Sequence, residues 1–144
     1  IIDSNEEYKK IILKIEKDQK DRSSLLQDEE IMLEKLLNDI ESSKLLLENI
    51  EINKLIDEYN IKLNEFNNNV EKFNFHYQEQ IIFIRNKILK QIIVLAEKYA
   101  KNNNIDLVLD SNHYLIASNE INITNFIKKE LNEIKLNLEF KNFE

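Results

Sequence analysis

Two histidines, His76 and His113, are the only imidazoles in the chain, and no cysteine accompanies them. A transition-metal site needs three or four N, O or S donors converging on one point. Neither histidine has a second imidazole at helical spacing, so they read as a partly exposed helix residue and a turn residue, and no metal ligand is assigned. Carboxylates are plentiful, as in Glu6-Glu7 and Asp28-Glu29-Glu30. Paired carboxylates do acid–base work only where a pocket drives their pKa values apart, and on a highly charged helix they read as a solvated face. Ser23-Ser24 and Ser42-Ser43 have no plausible general base beside them. No catalytic, cofactor-binding or metal residue is therefore expected, and the chain reads as a non-enzyme.

The composition removes further classes. The 144 residues include no Gly, Pro, Cys or Trp. Phosphate-cradling loops of the Walker or Rossmann type cannot be written without glycine, and cysteine-based zinc sites and disulfides are equally excluded. A chain without glycine or proline reads as mostly helix, although the skew toward Ile, Asn and Lys fits a low-GC genome and accounts for part of that absence. The longest apolar runs, 81–84 and 92–96, fall far short of the roughly 20 residues that span a bilayer, so a soluble protein is expected. The formal net charge is −7, with acidic side chains outnumbering basic ones over 1–50 and near balance over 51–104. That distribution repels phosphate and excludes nucleic acid as the expected partner. The first residue is Ile, with no signal-type segment before it, which reads as a processed or truncated chain.

The elements follow from periodicity. From residue 5 to about 102 nothing breaks a helix. Ile52, Ile56, Tyr59, Leu63, Phe66, Val70, Phe73 and Tyr77 are spaced alternately four and three apart, the a/d seam of a coiled coil. An extra four-residue step leads to Ile81, Ile84, Ile88, Ile92, Leu95 and Tyr99. The first half carries the same spacing at Tyr8, Ile12, Ile15, Leu26, Leu33, Leu37 and Ile40, but Gln19, Arg22 and Glu29 or Glu30 occupy seam positions between them. Polar seam groups must be solvated or paired, so the helices are expected to part around 19–30. A single helix of this extent would run about 140 Å. A turn within 42–49, with Asn49 as cap of the second helix, gives instead an antiparallel hairpin of two arms.

At Asn102-Asn103-Asn104 the period changes. Residues 105–110 (IDLVLD) and 114–118 (YLIAS) read as two short strands joined by a turn, a β-hairpin. A last helix follows, with Thr124 as N-cap and Phe126, Ile127, Leu131 and Ile134 on one face. The hairpin and helix are too small to hold a core alone, so they need the base of the arms or another subunit. Off the seam lie Ile61, Phe75, Ile82, Phe83, Ile93 and Val94, apolar surface that marks a partner or client face.

This order of parts resembles the Skp (OmpH-like) family of periplasmic chaperones. The likeness is carried by 105–110, by the return over 114–118, by Ile123-Thr124 with the helix after it, and by 3–10 (DSNEEYKK) entering the first arm. It implies a predominantly helical α+β fold. Residues 1–3 would be the remnant of a first body strand, 4–103 the helical-hairpin arm, and 104–144 the β-hairpin and C-terminal helix of an oligomerisation body. It further implies a jellyfish-like homotrimer that holds unfolded outer-membrane β-barrel proteins between its arms without ATP or cofactor. Ile105, Leu107, Leu109, Tyr114, Ile116, Ile88 and Ile92 are the expected oligomerisation residues, and Ile61, Phe66 and Phe75 the expected client contacts. The chain departs from the family in having Asn122 where an Asp precedes Ile-Thr, and in acidic rather than basic arms. Lipopolysaccharide or anionic-membrane contact is therefore not carried over. The competing reading is a structural coiled-coil tether without a client, which leaves 105–110 and 114–118 without a use.

Overall fold

A computed structural model describes residues 1–44, 46 and 48–143. Three α-helices order the chain: α1 (Glu6–Ser43), α2 (Asn49–Asn102) and α3 (Thr124–Glu133), with short 3-10 turns at Ile2–Ser4, Ser111–His113 and Asn119–Ile121. Part of the expected turn within 42–49 falls on Leu45 and Leu47, and the expected body ends on Glu144. These three residues lie outside the described ones.

Local chemistry sets the helix ends. The side-chain oxygen of Asn5 accepts the Tyr8 N–H at 2.9 Å and caps α1, and Glu6 and Glu7 place negative charge in its first turn. At the other end of α2, Asn104 holds φ 53°, a left-handed conformation that asparagine tolerates where glycine is absent. It lets the Ile105 N–H reach the Ala100 carbonyl at 2.9 Å, the six-to-one bond of a Schellman stop.

The chain divides into two compact units. The first comprises Ile1–Lys14 and Gln80–Lys141. Its core is Tyr8 and Ile11 of α1, Ile84, Ile88 and Leu95 of α2, Ile127 and Leu131 of α3, and Leu136 beyond it, with Ile88 wholly enclosed at 0% exposure. Buried Asn5 donates to Asn132 Oδ1 at 2.8 Å, and the Glu6 N–H reaches the same oxygen at 3.4 Å, tying the start of α1 to the end of α3. Arg85 donates to Asp3 (2.9 Å) and to the Tyr8 hydroxyl (3.0 Å), and lies 5.7 Å from the Tyr8 ring centre. Phe126 meets Tyr99 with ring centres 4.6 Å apart and planes tilted by 51°.

The second unit comprises Ile15–Glu79 with residues 142 and 143. Here α1 and α2 run antiparallel, Asp18 meeting Tyr77 and Glu29 meeting Asn69. Ile15, Leu33, Ile40, Ile52, Phe73 and Tyr77 are buried, and every residue of 16–32 and of 53–72 is half-buried or exposed.

The expected β component is corrected. Among the described residues no strand is present and the fold is helical, not α+β. Residues 105–110 and 114–118 make no ladder. The Asp110 side chain accepts the Asn112 N–H (2.8 Å) and its carbonyl accepts the His113 N–H (2.9 Å), winding the connection into a 3-10 turn. Short hairpin loops need at least one residue with positive φ, usually Gly or Asn, and no residue of 105–118 has it. Both segments are exposed along their whole length, so extended propensity has no packed face to reward it. Thr124 is likewise the first residue of α3, not its cap: the Asn122 side chain accepts the Thr124 N–H at 3.0 Å, and Ile123 occupies the cap position without a side-chain bond.

Candidate functional site

Between α1 and α2 in the second unit lies an open cavity of about 510 Å³. Met32, Leu33, Leu36 and Phe66 supply its apolar lining, and Glu29, Lys35, Asp39, Lys62, Glu65 and Asn69 its polar part. The helical periods explain the arrangement: Leu36 stands one turn beyond the adjacent pair Met32 and Leu33 on α1, and Phe66 belongs to the α2 seam. The seam is loose enough here for the lining to stay accessible. The cavity can take a few apolar side chains, and its charges of both signs favour no single ionic ligand.

Exposed large apolar side chains surround it in sequence. Leu25, Ile31 and Met32 on α1, and Ile61 (60%) and Phe75 (63%) on α2, face solvent. Of the three expected client contacts, Phe66 lines the cavity while Ile61 and Phe75 stand exposed. The first unit carries a second apolar surface. Leu107, Leu109 and Ile116 are exposed, with Ile116 at 93% and its neighbour Leu115 fully so, and Ile105 and Tyr114 are exposed to a lesser degree. Ile88 is enclosed within its own chain and Ile92 is half-buried. Around them on α2, Ile82, Phe83, Leu89, Ile93 and Val94 are exposed.

A third arrangement went unrecognised in the sequence. The Tyr77 hydroxyl donates to Asp18 Oδ2 at 2.6 Å, and Arg22 lies 3.8 Å from the other Asp18 oxygen. The Phe143 N–H approaches the same carboxylate at 3.5 Å while its ring meets Phe73 (5.3 Å) and His76 (5.4 Å) edge-on. Burial above all, and then the Asp18 carboxylate, pushes the Tyr77 phenol well above its ordinary range. The signal for it was Asp18 one residue before the polar seam position Gln19. These contacts fasten the two helices and present no nucleophile. Among the described residues no group of three His, Cys, Asp or Glu is placed to hold a metal ion, and no helix is long and apolar enough to cross a membrane.

Set against known proteins, a family model described as outer membrane protein (OmpH-like) matches residues 1–131. No curated protein and no solved structure gives a significant match.

Proposed function

The chain belongs to the OmpH-like (Skp) family of periplasmic, non-catalytic chaperones, and from that premise we propose that it is an ATP-independent holdase for unfolded outer-membrane β-barrel proteins. The observation that carries the reading is the poor burial of the paired helices over 16–32 and 53–72, which leaves Leu25, Ile31, Met32, Ile61 and the Phe66 cavity accessible beside a charged surface. Many weak apolar contacts of this kind shield a client without fixing its conformation. Side chains not committed to a core adapt to segments of different shape.

The arms of this reading are the coiled-coil hairpin 4–103, with Ile61, Phe66 and Phe75 touching the client. Homotrimers form through the body at 104–144, where Leu107, Leu109 and Ile116, together with Ile105 and Tyr114, are exposed. Ile92 contributes at the rim of that surface, while Ile88, enclosed in its own chain, acts by holding α2 in place. An exposed apolar stretch of this extent on one chain is the surface that association would remove from water.

The test dilutes a denatured outer-membrane β-barrel protein into buffer with and without the chain, following light scattering and native mass. Suppressed scattering, with a complex of three chains and about one client, is the expected result. Undiminished aggregation would sink the holdase reading and favour the structural tether. Leu107→Asp with Leu109→Asp should lower the native mass to that of one chain; an unchanged mass removes these residues from the interface.

A further inference from the structure

Residues 135–141 follow α3 and lie beyond the stretch that the family model matches, 1–131. Their sequence, KLNLEFK, alternates strictly between apolar and polar. The structure honours that alternation: Leu136 is buried, Leu138 and Phe140 are half-buried, and Asn137, Glu139 and Lys141 are exposed. The segment is neither helix nor strand, so side chains of the helices satisfy several of its main-chain groups. Glu7 of α1 accepts the Leu136 N–H at 3.1 Å. Lys87 of α2 donates to the Asn137 carbonyl at 2.7 Å, and Gln80 of α2 accepts the Lys141 N–H at 3.0 Å. All of these groups belong to the first unit.

Bonds to the main chain do not depend on which side chains the occupant carries, and every second side chain turns inward. This is the general logic by which proteins hold unstructured peptides. We propose that Glu7, Gln80 and Lys87 mark a binding track for non-helical polypeptide with apolar residues at alternate positions, and that 136–141 occupies it as a built-in stand-in for such a segment. The partner chemistry is that of an unfolded membrane β-strand, which alternates apolar and polar in the same way, so the inference rests on the chaperone reading above. Only Leu136 of the stand-in is fully buried, so a segment that replaces it has to supply one apolar side chain to the core of the first unit. Asn137 adds a specificity element. Its φ of 49° is left-handed, which Asn or Gly tolerates and a β-branched residue does not.

The probes are a fluorescent peptide KLNLEFK, the same peptide with Val for Asn, and a control of equal composition with its apolar residues consecutive. Each is titrated into the full chain and into the full chain carrying Leu138→Asp and Phe140→Asp, which release the stand-in. The alternating peptide should bind the released chain roughly ten-fold or more tightly than the unmodified one, because a mostly occupied track reduces apparent affinity by its open fraction. The Val peptide and the control should bind more weakly, and Glu7→Ala with Gln80→Ala and Lys87→Ala should remove the difference. Equal affinity for both chains, or for the alternating and control peptides, overturns the proposal.

A second variant covers the case in which the acidic substitutions unfold the chain. Leu138→Ala with Phe140→Ala adds no charge and loosens the stand-in while leaving Glu7, Gln80 and Lys87 in place. Peptide affinity should rise over that of the unmodified chain, and an unchanged affinity overturns the track. Light scattering with the unfolded β-barrel protein separates the two readings. A chain that binds the alternating peptide but leaves that client to aggregate keeps the track and sinks the holdase function. One that suppresses aggregation while treating both peptides alike does the reverse.

Discussion

The first unit encloses side chains from three helices and the segment after them, whereas the second rests on two helices whose middle stretches bury nothing completely. In the first, Ile84, Ile88, Ile127 and Leu131 are each almost fully removed from water. In the second, Ile56, Tyr59, Leu63, Phe66 and Val70 occupy equivalent seam positions and stay half-buried. The same heptad spacing therefore yields two different degrees of burial. What differs is the number of elements around the seam. A third helix closes the solvent side of the first unit, and over 53–72 two helices alone leave the seam residues open on their flanks. The facing residues differ as well: α1 offers Tyr8 and Ile11 to the first unit, but Gln19, Arg22 and Glu29 to the middle of the second.

The largest effect that can break this contrast is a cavity in the enclosed core. Ile88→Ala should cost about 3 kcal/mol in chemical denaturation, and Leu63→Ala in the open seam about 1 kcal/mol or less. The reverse order would show that the second unit carries the stability. Next comes the buried cap. Asn5→Ala leaves the Tyr8 N–H without its acceptor and Asn132 Oδ1 with only the longer Glu6 N–H contact, and should lower stability by about 2 kcal/mol. A loss no larger than that of an exposed helix substitution would mean the cap contributes nothing to the first unit.

Hydrogen exchange sharpens the comparison without a mutation. Amides over 56–70 should exchange roughly ten-fold or more faster than those over 84–95, since local opening follows the burial beneath it. Equal protection would remove the distinction between the units. The smallest effect is at Tyr77. Its folded pKa is raised by burial and by Asp18, so the stabilisation it provides is complete below its ordinary value of about 10 and is lost as pH rises through the raised one. Ultraviolet titration should show a phenol that ionises well above the ordinary range, and Tyr77→Phe should delete that step. A titration that Tyr77→Phe leaves without such a change would remove the Asp18 fastening from the second unit.

Much of the helical fold was legible. Asn104 takes the left-handed stop, and Tyr77, Ile84, Ile88 and Leu95 are buried where the spacing placed them, but Asn49 is the first residue of α2 and not its cap, since the Glu48 carbonyl accepts the Ile52 N–H at 3.1 Å. The place of Phe66 on the seam was legible, but that it lines a cavity with Met32, Leu33 and Leu36 was not. Finer placement was not: Ile11 is buried in place of Ile12, and Leu36 is more covered than Leu37. Adjacent apolar residues on a helix differ by only one step around its axis, and the third element decides which of the two faces inward. The strands were misread because IDLVLD and YLIAS carry β-type residues, a preference that acts only where a neighbouring strand and a packed face exist. The alternation at Leu136, Leu138 and Phe140 was present to be read, but its meaning depends on Glu7 and Lys87, far away in the chain.

By itself the sequence determined the helices, their stops and the exclusion of loop-based and cysteine-based chemistry. These follow from local propensity and from residue types that are absent. Only the tertiary structure decided which apolar residues are enclosed, that 105–118 finds no ladder, and that Phe143 reaches Phe73 and His76. Those outcomes depend on groups many tens of residues apart competing for the same surface, and a local period of 3.6 or 2 holds no information about which of them wins.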